Sequence, residues 1–362
     1  MTQSYKELFI RFIRSIRESI THYFKKINLK NMKQIFSFFL LMMAVNFSNA
    51  QTIKILTNGT KTSLRSLSAV NDNIVWASGS GGMVAKSTDG GASWKWFIVK
   101  GFEKTEFRDI EAFDANTAVI MGIAEPAYSL KTTDGGETWK TVYMNETKGM
   151  FLDAMDFSND KDGVVLGDPL NGRFFIARTS DGGNTWQDEP FDNRPIADSG
   201  EACFASSGTN IRKMKNGKEV FVSGGLSSHF YKNNQRRNLP IIQGKESTGA
   251  NSVAVKNNKV MMVAGGDFNT KDSATQNFFI TKCGGKKWYA PVAPPKGYRS
   301  SVEYISGNTW ITCGLNGVDI STDTGKHFTQ ISKEGFHVCR RAKTGNLVFL
   351  AGGGGRIAKL KQ

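Results

Sequence analysis

The sequence predicts an all-β fold, a seven-bladed β-propeller whose blades are four-stranded antiparallel sheets and whose ring is closed by the N-terminal strand. Two observations lead to this prediction. An eight-residue motif recurs at intervals of roughly 45 residues, and an apolar strand ending in glycine occurs seven times. Intervals of this length between strand-rich segments are typical of propellers, in which each repeat forms one blade.

The motif has three complete copies, at 87–94, 132–139 and 179–186, and two degenerate copies, at 281–288 and 321–328. Its recurring residues are an aspartate before two glycines and a closing aromatic residue: Asp89, Trp94, Asp134, Trp139, Asp181, Trp186, Trp288, Asp323 and Phe328. Paired glycines suit a tight hairpin turn, the aspartate accepts hydrogen bonds from the amides of that turn, and the aromatic ring covers apolar surface between sheets. We therefore predict structural rather than catalytic aspartates.

The seven glycine-ended strands give the number of blades. They are 74–79, 118–122, 164–167, 220–224, 260–265, 310–314 and 347–352. Blade four has no motif and carries the segment 231–237 where one is expected, so its hairpin must turn in another way. The last repeat has three strands, and a blade with an open edge is disfavoured. We expect residues 52–56 to supply its fourth strand.

The motif copies resemble the Asp-box, or BNR, repeat of sialidases, sortilin-type receptor propellers and the photosystem II stability/assembly factor family. The periodicity extends over residues 51–362. This resemblance implies the propeller fold. It leaves the function open, since enzymes and binding scaffolds share the repeat.

The first fifty residues are predicted to direct export. Residues 32–50 have a charged start, an apolar centre and a small-residue end, which indicates a signal peptide cleaved after Ala50. The apolar run is too short for a stable membrane span. Residues 1–31 form a basic extension with two interpretations, an amphipathic membrane-surface helix or a start codon placed too early. Residues 51–362 are then a single secreted or periplasmic propeller.

The composition of the chain indicates which classes of binding partner to expect. The net charge is +15 for the whole chain and about +9 without residues 1–50, which favours an anionic partner. No DNA-binding motif occurs, so nucleic acid is not expected. The four cysteines, Cys203, Cys283, Cys313 and Cys339, lie in or beside apolar runs, and we expect buried free thiols.

Candidate binding residues come from the predicted innermost strands, which line the central channel. These strands are 64–67, 107–110, 151–154, 201–204, 250–253, 298–301 and 336–339. One position in this alignment holds Arg65, Arg108, Arg299 and His337, and Asp109 and Asp153 lie one residue further on. Arginines that face one cleft suit the binding of carboxylate, phosphate or sulfate. The alternative is that each arginine pairs with a local acid, as Arg108 would with Asp109 or Glu111.

Two functions remain open. The first is a non-catalytic scaffold, monomeric and without cofactor or metal, that recognises a protein or an anionic glycan, as similarity to the assembly-factor family implies. The second is a sialidase-like glycoside hydrolase. The sialidase resemblance suggests Tyr304 beside Glu303, with Asp109 or Asp153, for the nucleophile and acid roles. The Arg-Ile-Pro signature of sialidases is absent from the sequence.

Overall fold

A computed structural model describes residues 3–25, 51–214 and 216–361. Residues 3–25 are one helix, Gln3–Lys25, along which Ile10, Phe12 and Ile13 are exposed. No helix within the described ranges is long and apolar enough to cross a bilayer. The predicted signal peptide, 32–50, lies outside the described residues.

Residues 51–361 form seven antiparallel sheets, each dominated by one blade, as the sequence predicts. Blade 1, from the innermost strand outwards, consists of Leu64–Ala69, Val75–Gly79, Met83–Ser87 and Lys95–Ile98. Blade 2 consists of Phe107–Ala112, Ala118–Gly122, Ala127–Thr132 and Lys140–Asn145. Blade 3 consists of Leu152–Phe157, Gly163–Leu170, Arg173–Thr179 and Gln187–Asp188. Blade 4 consists of Ile211–Lys213, Glu219–Val222, His229–Lys232 and Gln235–Asn238. Blade 5 consists of Thr248–Val255, Met261–Asp267 and Phe278–Thr281, and Tyr289 is bridged to Ile280 at its outer edge. Blade 6 consists of Ser301–Ser306, Thr309–Gly314, Gly317–Ser321 and Thr329–Ser332. Blade 7 consists of Val338–Arg341, Val348–Ala351, Ile357–Lys361 and Thr52–Thr57.

The hydrophobic core lies between consecutive blades rather than at one centre. The glycine-ended second strands, such as Val75–Gly79 and Ala118–Gly122, are buried along their whole length because a sheet covers each of their faces. One apolar cluster joins Trp76 of blade 1 to Phe107 and Ile110 of blade 2. Each blade is therefore stabilised by its neighbours.

The motif turns have the expected hydrogen bonds. In the first copy, Asp89 Oδ1 accepts from the Ser93 amide at 2.9 Å and from Ser87 Oγ at 2.8 Å. Gly90 and Gly91 have φ values of 70° and 85°, which glycine adopts without strain. The motif tryptophans are half-buried, and each packs on an apolar cluster; Trp139 lies edge-on to Trp76 of the preceding blade, 6.5 Å between ring centroids.

A basic residue just before the motif links neighbouring blades. Lys86 Nζ donates to the Gly135 carbonyl of the next motif at 2.7 Å, and Lys131 Nζ donates to that of Gly182 at 2.8 Å. Lys359 of blade 7 repeats this contact with Gly90 of blade 1. The motif therefore also connects blades, a role that we did not predict.

The N-terminal strand closes the ring, as predicted. Thr52–Thr57 pairs antiparallel with Ile357–Lys361, with Thr52 opposite Lys361 and Ile55 opposite Ala358. Blade 7 is thus assembled from both ends of the propeller.

Blade four departs from the sequence alignment. Its innermost strand is Ile211–Lys213, and residues 201–204, which we predicted there, instead start an insertion in which Glu201–Ala202 pairs with Gly224–Gly225. Its outer hairpin turns at Asn233 and Asn234, both with positive φ. Asparagine tolerates this conformation, so the turn needs no motif.

The cysteines are free, and three of the four are buried. Cys283 is the exception to the prediction. It replaces the aspartate of the fourth motif copy, and its Sγ accepts from the Lys287 amide at 3.2 Å. A residue in this position lies at the surface of the turn, so Cys283 is only partly buried.

Deletion of residues 51–58 should expose the edge of Ile357–Lys361 and cause self-association, because an unpaired strand edge is a template for another chain. Analytical ultracentrifugation and thermal unfolding measure both effects. Lys54→Thr is the control, since it changes an exposed side chain and leaves the backbone pairing intact. A monomeric deletion variant with unchanged stability would show that Thr52–Thr57 is not needed for closure.

Candidate binding site at one mouth of the channel

The seven innermost strands run in the same direction, so they all begin at one mouth of the channel. In most blades a β-bulge lies at this start, for example between Leu64 and Ser66 and between Phe107 and Asp109. A bulge leaves one residue out of the ladder and redirects its side chain. The residues at the bulge position are Arg65, Arg108, Asp153, Asn251, Ser300 and His337.

Arg65, Arg108 and His337 come together at this end, which we call the arginine mouth. Arg108 Nη1 donates to the Ala205 carbonyl at 3.0 Å, and its Nε lies 3.3 Å from Glu106. His337 Nε2 lies 3.3 Å from Ser63 Oγ. Among the described residues no hydrogen bond is recorded for the Arg65 guanidinium, whose Nε is buried. Arg65 is half-buried, so its terminal nitrogens retain hydrogen-bonding capacity for a ligand.

The charge of this mouth comes from its arginines. Burial and then the Arg65 and Arg108 guanidiniums lower the pKa of His337 to about 3, so the imidazole is neutral at physiological pH. Burial and the nearby Arg108 also lower the pKa of Arg65, which still leaves arginine charged. Arg356, which the sequence analysis missed, also lies near His337, and its guanidinium is paired with Glu334 at 3.2 Å.

The two predicted aspartates have different roles. Asp153 is at the arginine mouth and fully buried, and within the described part of the chain neither carboxylate oxygen has a well-formed hydrogen bond. Burial, with Asp168 nearby, raises its pKa. Asp109 lies deeper and links three blades: its carboxylate accepts from Ser66 Oγ at 2.5 Å and from the Met155 amide at 2.6 Å. Burial raises the pKa of Asp109 to about 7.

Arg299 does not reach the arginine mouth. Ser300 occupies the bulge position of blade 6, and Arg299 aligns with Leu64, a core residue. The Arg299 side chain is fully buried, with Nε 2.8 Å from Asp319 Oδ2 and Nη1 2.6 Å from Asn316 Oδ1. It is a structural ion pair within its blade.

The residues suggested for a hydrolase are not brought to one place. Glu303 and Tyr304 lie near the end of their strand, at the mouth opposite Asp153. Both line the cavity at that mouth, so they are separated from Asp153 rather than from each other. Glu303 lies 3.4 Å from Arg212, whereas the Tyr304 hydroxyl donates to the Gly307 carbonyl.

Within the described ranges, Asp198, Glu201 and His229 are the group with metal-ligand spacing. Their polar atoms are already satisfied. Glu201 Oε1 accepts from Tyr231 at 2.9 Å and lies 3.1 Å from His229 Nδ1, and Asp198 pairs with Arg236. The cluster is thus stabilised without a cation and fixes the blade-four insertion.

Exposed apolar side chains surround the arginine mouth. Phe268 and Leu315 follow directly after the second strands of blades 5 and 6, which end at this face, and Leu226 follows Gly224–Gly225 of the blade-four insertion. The Phe268 ring lies 6.3 Å from that of Tyr298, beside the start of the blade 6 inner strand. The sequence signal for these residues is a large apolar residue one to three positions after the glycine that ends a predicted strand.

The fold is that of a seven-bladed propeller, and comparison with solved structures agrees. A structure of YCF48 bound to D1 peptide is 15% identical, with a TM-score of 0.62 over 88% of this chain and 97% of that chain. YCF48 from Cyanidioschyzon merolae is 17% identical, with a TM-score of 0.59 over 85% and 98%. The WD40 propeller domain of Doa1 is 10% identical, with a TM-score of 0.53 over 86% and 97%. No protein-family model and no curated protein sequence matches the chain.

The Asp153→Asn variant should become increasingly stable relative to the wild type as the pH rises above about 4. The raised pKa of Asp153 means that the native state keeps a proton that the unfolded chain has lost. Wild-type stability therefore falls as the pH rises from the unfolded pKa towards the folded one, and asparagine removes this loss. Urea unfolding of both proteins from pH 4 to 8 measures the difference.

Asp89→Asn is the matched control and should show the opposite trend. Hydrogen bonds from Ser93 lower the pKa of Asp89 to about 2, so its carboxylate stabilises the fold above about pH 4 and this contribution is lost on acidification. The deficit of the variant should be largest at neutral pH. Parallel pH profiles for the two variants would contradict both assignments.

Proposed function

We propose that this protein is a non-catalytic scaffold that binds an acidic, partly apolar segment of a protein partner at the arginine mouth. The observation that carries the proposal is the convergence of Arg65 and Arg108 at one mouth, with no hydrogen bond recorded for the Arg65 guanidinium among the described residues. Arginine binds carboxylates with paired, charge-assisted hydrogen bonds.

The surroundings favour a peptide over a small anion. Leu226, Phe268 and Leu315 are 48%, 39% and 38% exposed, which offers apolar contact beside the positive charge. Aromatic residues and arginine are enriched at the centres of protein interfaces. YCF48, a propeller of similar fold, has been solved with a peptide bound. An anionic glycan would use the arginines and leave the apolar residues unused.

Binding is tested with a fluorescently labelled peptide of six glutamates and two phenylalanines, in low salt. The double variant Arg65→Ala/Arg108→Ala should weaken binding at least about tenfold, because it removes the charge that attracts the carboxylates. Binding should also weaken with added salt. Fluorescence anisotropy gives the dissociation constants.

The control is Lys54→Ala/Lys140→Ala, which removes the same charge from exposed outer strands. It should change affinity less than about twofold. Equal losses in the two double variants would mean that net charge alone attracts the peptide, and the proposed site would be wrong. A peptide in which glutamine replaces every glutamate should bind the wild-type protein weakly. Its affinity should be similar to that of the acidic peptide for the Arg65→Ala/Arg108→Ala variant.

We also propose that the propeller is exported and acts in the periplasm or outside the cell, as the signal-peptide pattern of residues 32–50 predicts. Intact mass of the protein from the envelope and medium should give a chain that begins at Gln51. An exported form that retains residues 32–50 would exclude cleavage at this site.

A further inference from the structure

The opposite mouth of the channel holds a second feature that the arginine mouth does not explain. A cavity of about 620 Å³ opens where the innermost strands end, and its walls come from blades 1, 2, 3, 5, 6 and 7. Its charged and aromatic walls include Glu111, Phe113, Asp156, Phe157, Glu303 and Arg340. A volume of this size is in the range of small-molecule sites.

The carboxylates of this cavity are only partly satisfied. Asp156 Oδ2 accepts from the Lys213 amide at 2.6 Å, and Glu303 Oε2 lies 3.4 Å from Arg212 Nη2. No partner within hydrogen-bond distance is recorded for the second oxygen of either residue among the described residues. Burial raises the pKa of both carboxyl groups. Glu111 is already paired with Lys343.

The donors of the cavity have unused capacity as well. Arg340 carries five N–H groups, yet within the described residues it makes one hydrogen bond, from Nη2 to the Gly208 carbonyl at 3.1 Å, and no ion pair. Arg341 also lines the cavity, and its buried Nε has no partner among the described residues. Donors and acceptors thus line the same space.

Aromatic rings complete the walls. Phe113 and Phe157 lie edge to face, 5.2 Å between centroids, and Tyr304 lines the blade 6 side. All three are partly exposed, so apolar surface and charged planar groups are accessible together.

The charge balance selects the class of ligand. An anion drawn to Arg340 would meet the carboxylates of Glu111, Asp156 and Glu303, and a cation drawn to them would meet Arg340 and Arg341. A hydroxyl group both donates and accepts, so it can satisfy a carboxylate and a guanidinium without net charge. We propose that this cavity binds a neutral carbohydrate of about two sugar units, with ring faces against the aromatic walls. This site is separate from the arginine mouth and does not depend on the function proposed there.

The test uses the full chain and four neutral disaccharides, namely maltose, cellobiose, lactose and N,N′-diacetylchitobiose. Isothermal titration calorimetry and saturation-transfer NMR should show at least one of them binding with a Kd below about 1 mM. Glucuronic acid and glycine are the anionic and zwitterionic contrasts, and they should bind more weakly. Thermal unfolding confirms that each variant is folded.

Glu303→Gln keeps the shape of the side chain and removes its charge. Arg341→Gln, at the rim of the cavity, is a second variant that keeps the test possible if Glu303→Gln does not fold. Each should raise Kd at least about fivefold. Glu137→Gln, an exposed glutamate at the outer edge of blade 2, is the matched control and should leave Kd unchanged.

Three results would overturn the proposal. The first is that no disaccharide binds at about 10 mM. The second is that glucuronic acid or glycine binds more tightly than every disaccharide, which would assign the cavity to an anion or a zwitterion. The third is that both folded cavity variants bind as the wild type does, which would place the sugar elsewhere.

Discussion

The pairing of Thr52–Thr57 with Ile357–Lys361 is the constraint on which the rest of the ring depends. Without it, blade 7 would have three strands and an open edge. The same pairing packs Leu56 against Gly91 and places Lys359 within reach of the Gly90 carbonyl. Blade 7 is therefore held to blade 1 by the same kind of contact that joins blade 1 to blade 2. Closure turns a linear array of repeats into a ring in which every blade has two neighbours.

The ring also explains how residues far apart in the sequence form a site. Because every innermost strand starts at the same mouth, the bulge residues of different blades face a common space. Arg65, Arg108 and His337 meet there although they belong to blades 1, 2 and 7. Their proximity has a physical consequence, since the two guanidiniums help to keep the imidazole neutral. A histidine that looks basic in the sequence is an uncharged neighbour in the structure.

The repeat pattern was sufficient to predict most of the strands, the number of blades, the closure and the hydrogen bonds of the motif turns, because each of these follows from local periodicity or turn chemistry. It was not sufficient for the site. A bulge adds one residue without a clear sequence signal, so we predicted Arg299 where Ser300 lies and predicted Asp153 one residue beyond the position that it occupies. The consequence is large, because a shift of one residue moves a strand side chain to the other face. The insertion around Glu201 misled the alignment of blade four for a similar reason: its residues are as apolar as a strand.

Position along the innermost strands separates structural residues from candidate binding residues. Near the middle of the channel, short polar side chains join neighbouring blades: Ser66 donates to Asp109, Thr209 donates to Ser252, and the Ser252 hydroxyl accepts from the amide of Val302. Their hydrogen-bonding capacity is used within the protein, so Asp109 has no free oxygen to offer a ligand. At the strand ends neighbouring blades take up only part of this capacity: Asp156 accepts from the Lys213 amide, whereas among the described residues the Nε atoms of Arg65 and Arg341 have no hydrogen-bond partner. Since the hydrogen-bonded middle lies between the two mouths, a ligand at one mouth has no direct contact with the groups at the other. The two mouths can therefore bind different chemistry on one scaffold.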